Sequence, residues 1–248
     1  MVNRTGSIER WRRGDRPIII AHRGASARAT ENTVEAMALA VVAGADAVEI
    51  DVQLAACGQV VVFHDSSLER LAGLRQPVAS LTLGELRELP LEGGGRIATL
   101  AEVLDAAGEL LVDVEVKSTN PVTSGPLCRA LAEVLESHPR RGDLLISSFD
   151  PGALARLRRW LPDIPQAFLF HMRQSLPLRA GWPAAWLRCG AVHPEHTLVT
   201  AASLRRWKRR GLVVNPWTVD RPERMRALVE LGVDGFCTND PVAALEAL

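Results

Sequence analysis

Seven residues are of types that could hold a cation, exchange protons or meet an anion: the acids Glu49, Asp51 and Glu115, the histidines His22 and His64, and the cations Arg23 and Lys117. Glu49 and Asp51 lie in V-E-I-D-V-Q-L. A turn at Cys57-Gly58 and a returning V-V-V-F-H-D follow, ending at His64-Asp65. In a strand, side chains alternate between faces. Val48, Ile50 and Val52 share one face; Ala47, Glu49 and Asp51 share the other. The two carboxylates stand about 6.6 Å apart along the strand (two rises of about 3.3 Å), so their oxygens can converge on one cation. On an interior face such charges need a partner, because an unpaired buried carboxylate is costly. A hard metal ion held by oxygen ligands would provide one. Leu110–Lys117 repeats the alternation, with Val112, Val114 and Val116 on one face and Asp113, Glu115 and Lys117 on the other. Basic residues are almost all arginine, and the only lysines are Lys117 and Lys208. Lysine at 117 suits a point charge better than a bidentate fork.

The elements that must position these residues can be read in order. Residues 1–16 form a polar lead-in, expected to be loosely ordered. Pro17 opens a buried strand, I-I-I-A-H, that ends at His22 before a glycine turn. Thr30 or Asn32 caps a helix over about 33–42, and Gly44 stops it. The 47–52 strand pairs with the 60–64 arm as a hairpin. Residues 66–99 read as loop with short helical pieces, including Thr82–Glu88. Further strands fall at 110–117, 144–147, 165–170, 190–193, 212–218 and 235–238. Helices are expected at 100–107, 126–137, 151–160, 201–210, 221–231 and 241–247. The segment 174–189 has no clear period. Setting the hairpin arm aside, eight strands alternate with helices in one domain over residues 17–248. That pattern and length predict an α/β protein, a closed (β/α)8 TIM barrel with a hairpin arm and a short loop insertion. A doubly wound open sheet is the alternative; the absence of G-x-G-x-x-G after the first strand counts against its nucleotide-binding version. In a barrel the active site lies at the carboxyl ends of the strands. His22-Arg23, Glu49/Asp51, Glu115/Lys117, Ser147-Ser148-Phe149, His193 and Trp217 all fall at such ends. Singly, each has a plain reading: a structural histidine, a solvated rim, a lysine neutralising its neighbour. Independent strands placing charge at the same end are hard to explain by packing alone.

Composition narrows the function. The chain has 248 residues, a formal net charge of zero and 47% hydrophobic residues. Zero net charge gives no general attraction to nucleic acid or an anionic membrane. The run Arg205–Arg210 reads as the solvated face of a helix. No apolar run approaches the ~20 residues of a membrane-spanning helix. The polar N-terminal stretch lacks the apolar core of a secretory signal. The scattered cysteines, Cys57, Cys128, Cys189 and Cys237, have no C-x-x-C spacing. A cytoplasmic protein with reduced thiols is expected.

His22-Arg23-Gly24, Glu31-Asn32-Thr33, Glu49-x-Asp51, Val61-Val62-Phe63-His64-Asp65 and Glu115-x-Lys117 occur in this order. In that order the chain resembles the glycerophosphodiester phosphodiesterase family over about residues 17–245. Trp217-Thr218-Val219 and Gly232-Val233-Asp234-Gly235, with Thr238 and Pro241, resemble the family's C-terminal end. The resemblance implies a barrel that hydrolyses glycerophosphodiesters to an alcohol and glycerol 3-phosphate with one divalent cation, Mg²⁺, Ca²⁺ or Mn²⁺. It implies Glu49, Asp51 and Glu115 as metal ligands, His22 and His64 as the acid–base pair, and Arg23 and Lys117 as phosphate contacts. Phe149 and Trp217 are candidate walls of the substrate site. Glu31 and Asn32 either order the first loop or cap the helix. The residue types suit the reaction: cations stabilise charge on phosphoryl oxygens, and histidines exchange protons near neutral pH. Thr30, the Ala56-Cys57-Gly58 turn, Ala98 and Asn239 depart from the family pattern. They are expected to alter loop shape without touching the proposed ligands or histidines. A lysophospholipase D acting through the same residues, or a non-catalytic barrel that binds glycerophosphodiesters, are the alternatives. Neither stable membrane insertion nor a nucleic-acid partner is expected.

Overall fold

The computed structural model describes residues 6–118 and 121–248. Its frame is a set of parallel strands: β1 (Ile18–His22), β2 (Ala47–Leu54), β5 (Leu111–Val116), β6 (Leu144–Ser148), β7 (Gln166–Phe170), β8 (Ala191–Pro194), β9 (Val213–Val214) and β10 (Gly235–Thr238). Two further strands, β3 (Val60–Val62) and β4 (Ala98–Thr99), lie off this path. The parallel order is β10-β1-β2-β5-β6-β7-β8-β9. Across the remaining gap, the N–H groups of Asp234, Cys237 and Val219 donate to the carbonyls of Val214, Pro216 and Cys237. β3 pairs antiparallel with β2 as the expected hairpin arm. The expected strand over 212–218 is shorter, because Pro216 has no N–H to donate. Pairing resumes as an isolated bridge between Glu195 and Trp217.

Strand alternation sorts the side chains into two cores. Ile19, Val48, Ile50, Val52, Val112, Val114, Ile146, Phe168, Val192, Val214 and Phe236 pack outward against the helices. The inward set at the amino end is Ile18, Ile20, Ala47, Leu111, Leu145, Ala167, Ala191 and Val213. Three alanines in that set leave room for a large side chain, and Trp11 fills it, fully buried. The lead-in is therefore ordered where it meets the barrel floor, contrary to the loose segment expected. A short helix, Gly6–Glu9, precedes Trp11, and residues 1–5 lie outside the described residues.

The helix after β1 runs Val34–Ala43 and is capped by Thr33, whose hydroxyl accepts from the Ala36 N–H; neither Thr30 nor Asn32 is the cap. Asn32 is in the left-handed region (φ 61°), and its amide is engaged elsewhere. Gly44 ends the helix in the left-handed region, as expected. The helix expected from Pro126 begins at Pro121 instead, because proline is tolerated at a first helical position. Between β3 and β4 the insertion folds on its own small core of Val61, Phe63, Leu68, Val78, Leu86 and Ile97. Capping boxes at Thr82 and Thr99 start its second helix and the helix after β4. The 174–189 segment forms two short helices, Leu176–Arg179 and Trp182–Trp186. Among the described residues, no helix is long and apolar enough to cross a membrane.

Candidate active site

The site begins with register. Asp51 on β2 stands beside Glu115 on β5, and Glu49 stands beside Asp113. Glu49, Asp51 and Glu115 share the inward face near the carboxyl ends of their strands. Each offers an oxygen within 4.8 Å of the others, and all three are buried. This is an oxygen-donor set of the kind hard divalent cations take. Glu49 Oε1 is buried and accepts no hydrogen bond.

Two cations offset these charges. Lys117 contacts Glu115 and lies 2.8 Å from Asp51 Oδ1. Arg23 places Nε 3.3 Å from Asp51 Oδ2. Its backbone N–H donates to Glu49 Oε2 at 3.1 Å. That donation needs the turn after β1, where Arg23 (φ 58°) and Gly24 (φ 80°) are both left-handed. A Cβ on Gly24 would sit 2.7 Å from the Ala36 backbone, so only glycine fits. Burial opposes ionisation of Asp51, but Lys117 and Arg23 overcome it and hold its pKa below the usual carboxylate range. Burial, then the charge of Asp51, pushes Glu49 well up. Burial also raises Glu115 to about 7, with Asp51 adding to the rise and Lys117 opposing it. Burial works against the Lys117 ammonium too, yet Glu115 and Asp51 keep its pKa above normal.

Asn32 completes the carboxylate cluster. β1 pairs with β2 only as far as His22 and Glu49, so Asp51 extends beyond the end of β1. The Asn32 carboxamide takes over: its Nδ2 donates to Asp51 Oδ2 at 2.8 Å and its Oδ1 accepts the Asp51 N–H at 3.2 Å.

His22 Nδ1 lies 2.7 Å from Asn239 Oδ1. The Asn239 amide is oriented by Asp220, to which Nδ2 donates at 2.7 Å. Its oxygen therefore faces the ring and can only accept, so the proton of neutral His22 is on Nδ1 and the Nε2 lone pair is free. Nε2 lies 3.9 Å from Glu49 Oε2. Burial, then Arg23, pushes His22 down to about 4, which keeps the imidazole neutral near pH 7. His64 leaves the hairpin arm with Nδ1 2.6 Å from Asp65 Oδ1. Burial lowers its pKa as well, while Asp51 and Asp65 pull the other way.

Two cavities meet here. A small one of about 170 Å³ enters the barrel between His22, Arg23, Glu49, Phe149, His193 and Trp217. A larger groove of about 800 Å³ runs outward past Gln53, Asp65, Ser66, Arg70, Pro77 and Ser118. His64, Glu115, Lys117 and Phe149 line both. Phe149 and Trp217 meet edge to face at 5.5 Å, and Trp217 Nε1 donates to the His193 carbonyl at 2.8 Å. Deeper down, buried His193 and Asp113 pair at 3.1 Å. There Ser147 Oγ, His193 Nε2 and both amide atoms of Asn215 have no hydrogen-bond partner.

All the sequence-predicted residues converge on this junction; Asp51 lies just behind the cavity wall, against Lys117 and Arg23. The expectation that the departures from the family pattern avoid the histidines fails at Asn239, which bonds His22 directly. Asp220 and Arg70 also went unread, as did the Asp113–His193 pair. Asn32 gave a usable signal, because asparagine is enriched among left-handed residues.

Parallel α/β units that carry a carboxylate triad, two histidines and two cations at the strands' carboxyl ends have the layout of a barrel hydrolase. Comparison with known proteins makes this specific. The chain belongs to the glycerophosphoryl diester phosphodiesterase family, whose family model matches residues 22–243. It is thus an enzyme of the phosphodiesterase class, on a TIM-barrel fold. A glycerophosphodiester phosphodiesterase of Caldanaerobacter subterraneus is 31% identical over 238 residues, covering 90% of this chain and 94% of that one. Among solved structures, an Oleispira antarctica phosphodiesterase in complex with the product sn-glycerol-3-phosphate has a TM-score of 0.85 at 27% identity, covering 94% of this chain and 97% of that one. Glycerophosphodiester phosphodiesterase from Thermotoga maritima has a TM-score of 0.77 at 30% identity, covering 94% and 98%.

Proposed function

We propose that this protein hydrolyses glycerophosphodiesters to an alcohol and sn-glycerol 3-phosphate by acid–base catalysis from His22 and His64. The observation that carries the reading is the junction of the two cavities. His22 borders only the small cavity, whereas His64 borders both. An invariant glycerol fits the small side and a variable alcohol the open groove, with phosphorus between them at Arg23, Lys117 and the carboxylates. The unpartnered Ser147, His193 and Asn215 atoms can take the glycerol hydroxyls.

Glu49, Asp51 and Glu115 would hold one divalent cation, Mg²⁺, Ca²⁺ or Mn²⁺, which when bound stabilises negative charge on the phosphoryl oxygens. His22 is the base. Its Nε2 takes the proton of the glycerol 2-hydroxyl as that oxygen bonds to phosphorus. His64 is the acid, because it stands where the leaving alcohol enters the groove; it protonates the departing oxygen as the phosphorus–oxygen bond breaks. A cyclic phosphate results. Water then opens it: His64 takes a water proton, and His22 returns its proton to the 2-oxygen. Lys117 and Arg23 face the phosphoryl oxygens throughout, where charge grows.

The small cavity also bears on lysolipid substrates. A volume of about 170 Å³ has no room for a long acyl chain on the glycerol side. Unacylated glycerophosphodiesters are therefore the favoured substrates.

The test is glycerol 3-phosphate release from glycerophosphocholine and glycerophosphoethanolamine, with and without chelator, for wild type and His64→Ala. Release is expected to need a divalent cation and to fall about 10²–10⁴-fold in the variant. A glycol diester lacking the 2-hydroxyl should be turned over poorly; equal turnover removes the cyclic route. No release from any glycerophosphodiester in the presence of the cation removes the reading.

A further inference from the structure

Arg70 belongs to the insertion, on the short helix Glu69–Ala72, and no step above uses it. Its Nε donates to Asp65 Oδ2 at 2.6 Å, while the other oxygen of Asp65 holds His64 Nδ1 at 2.6 Å. Its two terminal nitrogens grip both oxygens of Glu31, at 2.6 and 3.1 Å. Glu31 is fixed in turn by Arg23 at 2.8 Å. One planar guanidinium thus spans two carboxylates from two loops, a geometry arginine can satisfy and lysine cannot.

We infer that Arg70 is a positioning residue for His64: anchored on Glu31, it fixes the Asp65 carboxylate that orients the imidazole. This rests on the acid–base reading above. A histidine's working nitrogen is set by what its other nitrogen bonds. Here Asp65 takes Nδ1 and leaves Nε2 for the substrate. His64 itself stands on a loop beyond the end of β3, with no strand to hold its ring. Without Arg70 the Asp65 carboxylate loses the contact that fixes its plane, and the ring loses its aim. An exposed ion pair adds little stability, and the Arg70 side chain is 45% exposed. The contact's effect falls on geometry, where a misplacement of about 1 Å can slow a reaction about 100-fold.

The experiment compares wild type, Arg70→Ala, Arg70→Lys, Asp65→Asn and the Arg70→Ala/Asp65→Asn double variant, each with its divalent cation. Two substrates are used: glycerophosphocholine, whose alkoxide leaving group needs a proton, and glycerol phospho-p-nitrophenol, whose phenolate does not. For Arg70→Ala, kcat on glycerophosphocholine is expected to fall about 10- to 100-fold with little change in KM. On the nitrophenyl diester the single-turnover rate of nitrophenolate release, read before water opens the cyclic phosphate, should hold nearly constant, whereas the same first-step rate on glycerophosphocholine falls. Arg70→Lys recovers only part of the loss, and the double variant is no slower than Asp65→Asn alone, as members of one path are not additive. Wild-type kcat in Arg70→Ala on glycerophosphocholine overturns the inference. So does an equal loss in the first-step rate on both substrates, which assigns Arg70 to general structure or phosphate binding. Absence of turnover in the wild type instead overturns the acid–base reading on which the inference rests.

Discussion

Replacing Asn32 with alanine separates three effects that the structure superposes at one residue. The side chain donates to the buried Asp51 carboxylate and accepts from the Asp51 N–H, at 2.8 and 3.2 Å. A hydrogen bond to a charged group contributes about 1.5–3 kcal/mol, and a buried N–H left without an acceptor costs about 1–3 kcal/mol. Alanine at φ 61° adds about 1–2 kcal/mol of backbone strain. Asn32→Ala should therefore lose about 3.5–8 kcal/mol. Asn32→Gly relieves the strain alone and should be about 1 kcal/mol more stable than the alanine variant. Asn32→Asp keeps the shape but sets a second carboxylate where Nδ2 now donates to Asp51, so it should be destabilised further unless a divalent cation is present. Urea denaturation of the four proteins, with chelator and with cation, reads all these differences. An alanine variant within 1 kcal/mol of wild type would show that the carboxamide is not what completes the strand edge. A destabilised aspartate variant that gains nothing extra from the cation would refute the coupling to the carboxylate cluster.

Two further outcomes follow from the same geometry. Glu115 has a folded pKa raised to about 7 from 4.5, so the metal-free protein loses stability as pH rises between these values, the folded carboxylate being harder to ionise than the unfolded one. A bound cation should offset that loss, and its thermal stabilisation should be larger at pH 8 than at pH 6 by about 3–6 °C, corresponding to about a tenfold gain in affinity; equal shifts at both pH values contradict it. Trp11→Ala empties the barrel floor and should cost about 3–5 kcal/mol in chemical denaturation, while KM for glycerophosphocholine stays near the wild-type value, since Trp11 packs at the opposite end from the site.

The carboxylates were legible because strand alternation is an integer rule. Once Glu49, Asp51 and Glu115 share the inward face, a parallel register brings them together whatever the helices do. The hairpin arm that delivers His64 was legible for the same reason. The loop contacts were not. Asn239 meets His22 across 217 positions of sequence, through a loop whose conformation no periodicity encodes. Arg70 meets Glu31 across 39 positions, between two irregular segments. Trp11 looked like part of a polar tail, because its pocket is created by small residues on strands far away in sequence. The division has a physical content. The strands fix where charge sits, to within the pleat, and this sets where the three carboxylates could hold a cation. The loops decide which nitrogen of each histidine is free: Asn239, oriented by Asp220, for His22, and Asp65, held by Arg70, for His64. Changes in the strand residues should thus act on charge balance and metal affinity, and changes in the loop partners on proton transfer.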